Sequence, residues 1–257
     1  MSNPNLDYLS DKIVNAFLRN KIIKSLPKKV TKNLETANKF RKLCESKIKE
    51  PIVGFKAGGT GIPLLKKLKE KEPFYANVYK KNFLKSGKKI KINKYVLGIE
   101  LEVSYLVNKS FFNYKHKITK YNISRFIIKI APAIEIVGYR QKKTGITSFG
   151  DLSSDFGANI KFLIGRAKKY KKNNVQNLKT TISNKKANQH VIGNTNTVFI
   201  NPLNSLRFVL NKIKKDKITL QSNFWVFTGS TVGVVPIKNS GTYVGKIEKL
   251  GSVKAKI

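Results

Sequence analysis

Three glutamates stand where apolar residues would be expected. Glu100 and Glu102 interrupt the β-favouring run Tyr95-Val96-Leu97-Gly98-Ile99-Glu100-Leu101-Glu102-Val103-Ser104-Tyr105-Leu106-Val107, and Glu135 interrupts Ile130-Ala131-Pro132-Ala133-Ile134-Glu135-Ile136-Val137. Alternation along a strand puts Glu100 and Glu102 on one face and Ile99, Leu101 and Val103 on the other. Like charges about 7 Å apart on a half-buried strand repel and lose hydration, so they demand a cation or raised pKa values. Carboxylates are the hard oxygen donors that Mg²⁺ or Mn²⁺ prefer. Ion pairs with Arg140 or a lysine would also satisfy them, and spacing alone does not choose between the two.

Lys56 ends the apolar stretch Ile52-Val53-Gly54-Phe55-Lys56, immediately before Ala57-Gly58-Gly59-Thr60-Gly61 and a helix that opens with Pro63. A glycine-rich turn entering a helix can cradle an anion through its backbone N–H groups. This one matches neither a Walker A loop nor G-x-G-x-x-G, which argues against ATP and NAD. Of the two histidines, neither His116 nor His190 sits in a metal-ligand motif, and there is no G-x-S-x-G elbow.

Positioning these groups requires helices first and strands after. Leu6, Ile13, Val14, Phe17 and Leu18 follow a helical period, as do Leu34, Ala37, Phe40, Leu43 and Cys44 beyond Pro27, so residues 1–50 are expected to form a helical segment. Residues 51–257 are expected to form a β-rich domain, with strands at 95–107, 125–137, 159–164, 197–200, 224–228, 242–248 and 252–257 and a helix from Leu203 through Ile213. The fold class is α+β with a rolled or barrel-like sheet.

Composition narrows the partners. The chain carries 52 Lys and Arg against 14 Asp and Glu, a formal charge of +38, which first suggests nucleic acid. The lysines are spread along the whole chain, without a basic tail, an RNP-like aromatic motif or a Cys/His finger. Together with abundant Asn, Ile, Tyr and Phe, they fit drift in an A/T-rich coding sequence, so no specific nucleic acid is expected, although a basic binding protein without catalysis is the alternative of another class. Cys44 is the single cysteine, which excludes an intramolecular disulfide. No apolar run is long enough to cross a bilayer and the amino end lacks a signal-peptide core, so the expectation is a cytoplasmic protein with no membrane partner.

Several segments together resemble the 2-keto-4-pentenoate (2-hydroxypentadienoate) hydratases and 4-oxalocrotonate decarboxylases of the fumarylacetoacetate hydrolase superfamily. They are Val53-Gly54-Phe55-Lys56-Ala57-Gly58, Gly98-Ile99-Glu100-Leu101-Glu102-Val103, Pro132-Ala133-Ile134-Glu135-Ile136-Val137-Gly138-Tyr139-Arg140, Asn201-Pro202-Leu203, Phe227-Thr228-Gly229-Ser230 and Leu250-Gly251-Ser252-Val253. The resemblance implies a mixed β-roll in a homo-oligomer, with Glu100, Glu102 and Glu135 holding Mg²⁺ or Mn²⁺. It implies Lys56 and Asp155 as catalytic groups, and Gly58, Thr228, Gly229 and Ser230 around the substrate. The activity implied is a lyase of aromatic-compound catabolism, hydrating a small 2-oxo or 2-hydroxydienoate acid, with decarboxylation or acylpyruvate-type hydrolysis as alternatives. A divalent ion chelated by the two oxygens of a 2-oxo acid would depress the pKa of the nearby Lys56 and stabilise enolate charge. Two positions depart from the family pattern: Phe74 replaces an acidic residue associated with proton transfer, and Ala158 replaces a serine.

Overall fold

A computed structural model describes residues 4–172 and 174–257. The first three residues of the expected helical segment lie outside the described residues. Helices α1 (Pro4–Arg19), α2 (Lys28–Thr31) and α3 (Leu34–Ser46) follow the periodicity read above. The α1 helix ends at Asn20, which takes the left-handed conformation common at helix C-termini (φ 51°). Lys81 Nζ then donates to the Phe17 and Leu18 carbonyls at 3.3 and 2.6 Å, placing a cation at the negative end of the helix dipole. Asn33 caps α3 by accepting from Thr36 N at 2.9 Å. The apolar stripes meet in one cluster, where Ile13, Phe17, Phe40 and Cys44 pack with Tyr79 and Phe156. Cys44 is fully buried in this cluster, and burial pushes its thiol pKa well up, so it serves as packing.

The rest is β1 (Ile52–Gly58), α4 (Ile62–Lys67), β2 (Phe74–Tyr79), β3 (Phe83–Lys85), β4 (Val96–Val107), β5 (Ile127–Gly138), α5 (Phe149–Ser154), β6 (Asn159–Ile164), β7 (Lys168–Lys169), β8 (Lys179–Asn184), β9 (Gln189–Asn194), α6 (Pro202–Lys215), β10 (Phe224–Ser230), β11 (Thr242–Ile247) and β12 (Gly251–Lys256). The larger sheet runs β2-β1-β10-β4-β5-β6-β3, with β7 paired to β5, and the smaller runs β12-β11-β8-β9. Strands β1 and β10, and β3 and β6, are parallel, while the other pairs are antiparallel. This is the mixed α+β roll expected from the sequence.

The main core lies between the two sheets and under α6. Leu101, Val103, Ile134 and Ile136 share it with Ile182, Tyr243 and Val253, and α6 adds Leu206, Val209, Leu210 and Ile213. Gly245 permits the close approach of β11, because a Cβ there would lie 2.6 Å from Leu101 Cδ1. Burial of the odd-numbered face of β4 leaves its even-numbered glutamates on the opposite face.

Two expectations about strands need correction. Residues 197–200 do not form a strand: Thr195–Thr197 is a 3₁₀ turn entered through Asn194, and Phe199 and Ile200 adopt positive φ. Strands β8 and β9 were not apparent from hydrophobic alternation. In β8 only Ile182 is apolar, and the buried positions beside it are Thr180 and Asn184. No helix among the described residues is long and apolar enough to cross a membrane.

Candidate metal centre and cavity

Register brings the three glutamates together. Strands β4 and β5 pair so that Glu100 lies opposite Glu135, and Glu102 opposite Ala133. One carboxylate oxygen from each of Glu100, Glu102 and Glu135 lies within 4.8 Å of the others. Glu102 and Glu135 are fully buried. The sequence separation of Glu100 and Glu135 is thus explained by one long antiparallel pairing.

Lys56 reaches the cluster from β1, donating to Glu135 Oε1 at 2.7 Å and to the Gly157 carbonyl at 3.1 Å. Strands β10 and β4 stand between β1 and β5, which in a flat sheet would separate the two backbones by about 14 Å. The contact therefore depends on the curl of the sheet. A bulge in β10 aims another donor. Phe227 faces Ser104 while Ser230 faces Glu102, so β10 carries one extra residue against β4. Gly229, at the bulge, donates its N–H to Glu102 Oε2 at 2.8 Å. Its φ of +104° suits glycine, and a Cβ would strike Thr60 Oγ1.

The electrostatics leave this cluster short of positive charge. Burial, then repulsion from Glu135, pushes the Glu100 pKa up to about 8, against a lowering by Lys56. Burial, then Glu100, raises Glu102 to about 7, and burial raises Glu135 well above the ordinary range. Burial by itself would lower Lys56, but the pull of Glu135, Glu100 and Glu102 outweighs it and holds the ammonium charged. The depressed lysine expected from the sequence is therefore not found beside the three carboxylates alone; a divalent cation would oppose their pull. Glu102 Oε1 and Glu135 Oε2 are buried without a hydrogen-bond partner. One ammonium cannot neutralise three carboxylates, and these unpartnered oxygens fit a hard divalent cation.

Without such an ion the folded state holds carboxyl protons that an unfolded chain, titrating near 4.5, has released. Stability should then fall as pH rises from about 4.5 to about 8. Saturating Mg²⁺ should flatten that fall, because the ion displaces the same protons. Thermal melts across this pH range with EDTA and with Mg²⁺ check both directions.

A cavity of about 680 Å³ opens above the cluster, with Lys56 and Glu100 in its lining. Gly58, Gly229 and Ser230 are in its lining. Its apolar wall includes Ile62, Phe74, Val137, Ile146 and Leu152. Gly59 takes φ +73°, and a Cβ there would come within 2.0 Å of the Phe149 ring. Gly59→Ala should therefore destabilise the protein by about 1–3 kcal/mol, measured as a lower denaturation midpoint with unchanged m-value.

Two predicted site residues lie elsewhere. Thr228 is buried away from the cavity, its Oγ1 donating to the Val103 carbonyl at 2.8 Å and its carbonyl accepting from Ser205 Oγ at 2.7 Å. It ties β10 to β4 and α6. Asp155 is also absent from the cavity lining. It accepts from Arg140 N at 2.7 Å, Arg140 Nη1 at 3.0 Å and Gln141 Nε2 at 3.1 Å. These bonds tie Asp155 to Arg140 and Gln141, two residues before the Gly157 carbonyl that meets Lys56, and outside the cavity where a catalytic group was expected. Conversely, Thr60, Asn196 and Thr197 bring polar groups to the cavity that sequence reasoning passed over. Thr60 lay inside the glycine turn and was findable; Asn196 and Thr197 arrive on a turn with no motif.

No known family profile matches the sequence, and no curated protein matches it. Solved structures do. A 4-oxalocrotonate decarboxylase from Pseudomonas putida G7, complexed with magnesium and adipate, is similar with a TM-score of 0.82 and 19% identity, over 100% of this chain and 98% of that one. The same enzyme with calcium and acetate gives 0.81 and 18%, with the same coverage. A 5-carboxymethyl-2-hydroxymuconate delta-isomerase from Mycobacterium smegmatis gives 0.54 and 11%, over 80% of each chain. From its first described helix to its last strand, the chain has the fold of 4-oxalocrotonate decarboxylase, the fumarylacetoacetate hydrolase-type roll that its sequence segments resemble.

Proposed function

We propose that this chain is a divalent-metal-dependent lyase that decarboxylates a small 2-oxo acid carrying a second carboxylate. The observation that supports it most is the convergence of Glu100, Glu102 and Glu135, with two unpartnered buried oxygens, beneath a cavity. Bound there, Mg²⁺ or Mn²⁺ would act as a Lewis acid toward the negative charge building on the 2-oxo oxygen. Lys56 Nζ holds a proton beside Glu135 and faces the same cavity. The departing group is the second carboxylate, placed β to the 2-oxo carbonyl or one double bond further along: as its C–C bond breaks, the electron pair passes through the conjugated carbons to the 2-oxo oxygen and CO₂ leaves. Lys56 then supplies the proton that replaces it on carbon.

Phe74 favours decarboxylation over the hydration first suggested by the resemblance. Lys56 and Glu100 are the ionisable side chains lining the cavity among the described residues, and Phe74 is in the wall, at the position where the family pattern has an acid. An apolar wall cannot pass a proton to or from water, but it does strip solvent from a leaving carboxylate. Hydration would instead call on the polar rim at Thr60, Thr197 and Ser230 to hold the water. A homo-oligomer working in the cytoplasm completes the proposal, and sedimentation equilibrium tests its assembly.

The deciding experiment incubates 2-oxo diacids and 2-hydroxydienoates with protein and Mg²⁺, following CO₂ release and ultraviolet loss of conjugation. CO₂ release abolished by EDTA is expected. Loss of conjugation without CO₂ would move the reaction to hydration, and inactivity across the panel would remove the catalytic reading. Phe74→Asp should lower CO₂ release by about tenfold or more, with calorimetric Mg²⁺ affinity little changed.

A further inference from the structure

A second cavity, of about 520 Å³, lies apart from the carboxylate cluster and has the opposite character. Lys21, Lys89, Lys91, Arg140 and Lys161 line it, and no Asp or Glu does so among the described residues. The abundance of lysine in this chain does not account for the difference: the larger first cavity contains Lys56 as the one cation in its lining. Apolar side chains of Ile22, Leu84, Ile90, Ile92 and Ile160 complete the walls of the second.

Lys161 is the residue that needs explaining. Its Nζ donates to two neutral acceptors, the Lys81 carbonyl and Asn82 Oδ1, both at 3.0 Å. Among the described residues no carboxylate pairs with it. Burial, then the like charges of Lys81 and Arg140, push its pKa down to about 8. Arg140 is 5% exposed, and Asp155 is its one carboxylate partner among the described residues. A partly buried ammonium beside a buried guanidinium is costly until an anion completes the set, and charge-assisted hydrogen bonds to phosphate oxygens do so well. Lys21, Lys89 and Lys91 are exposed and stand at the rim, where they can meet further negative charge.

We propose that this cavity binds a small phosphorylated metabolite, with its phosphate on Lys161 and Arg140, its remaining charge toward the rim lysines and its uncharged body against the isoleucines. The site shares Arg140 with the support of Lys56. The same guanidinium donates to Asp155 and to the Asn159 carbonyl, which flank the Gly157 carbonyl on the Lys56 ammonium.

The test uses the full chain, free of divalent metal, titrated with inorganic pyrophosphate in a calorimeter at 150 mM NaCl, where the Debye length of about 8 Å suppresses long-range attraction to the basic surface. Lys161→Met and Lys91→Met are compared with Lys115→Met, an exposed lysine outside the cavity. Saturable binding at one site is expected, weakened about tenfold or more by Lys161→Met, less by Lys91→Met, and not by Lys115→Met. Pyrophosphate should also raise the melting temperature of the wild type but not of Lys161→Met, which separates lost binding from lost folding. Absence of saturable binding would overturn the proposal. So would an equal loss in Lys115→Met, which would assign binding to the surface charge as a whole.

Discussion

Replacing Glu102 by glutamine is expected to weaken Mg²⁺ binding by about a hundredfold or more, above the ten- to hundredfold typical when only an outer-shell partner is lost. Glu102 is fully buried, and Oε1 has no hydrogen-bond partner. The amide keeps an oxygen for the Gly229 N–H, so the bulge in β10 should persist while the negative charge disappears. Loss of that charge also relieves repulsion against Glu100, the largest Coulombic contribution raising the Glu102 pKa. The metal-free variant should therefore melt at or above the wild-type temperature. Titration calorimetry and thermal melts together separate the two effects, and unchanged Mg²⁺ affinity would remove Glu102 from the ligand set.

Lys56→Ala should have the opposite profile. Lys56 is 4% exposed and forms an ion pair with the fully buried Glu135, and removing one partner of such a pair costs about 3–5 kcal/mol where the remaining charge cannot neutralise. Here Glu135 can take up a proton, so the loss in the metal-free protein should fall below that range. Mg²⁺ should restore more stability to the variant than to the wild type, because no ammonium then competes for the carboxylates. Turnover should fall by about 10²–10⁴-fold, the usual contribution of a positioned acid–base group, with metal affinity retained. Wild-type turnover in this variant would show that the proton comes from elsewhere.

The carboxylate cluster was legible because charge inside a greasy strand is anomalous wherever it occurs, and strand alternation then fixed the face. Its closure was not legible. Glu100 meets Glu135 through pairing register, and Lys56 joins them only because the sheet curls across β10 and β4. Asp155 and Thr228 could not be placed from sequence, since a buried polar residue reads alike whether it faces a cavity or ties backbone segments together. In both, hydrogen bonds to neighbouring segments won. Strands β8 and β9 were missed for a related reason: their buried positions include Thr180, Asn184 and Gln189, so burial leaves no hydrophobic period.

The extra residue in β10 makes that stretch sensitive to length as well as to identity. Between Phe227 and Ser230, three steps on one strand are spent against two on its neighbour. Excising Gly229 would leave two steps against two, which keeps Ser230 opposite Glu102 but removes the bulge and with it the N–H that meets Glu102 Oε2. A one-codon deletion there would take a hydrogen bond from the centre without touching a single acidic residue, and a side chain at Gly229 would strike Thr60.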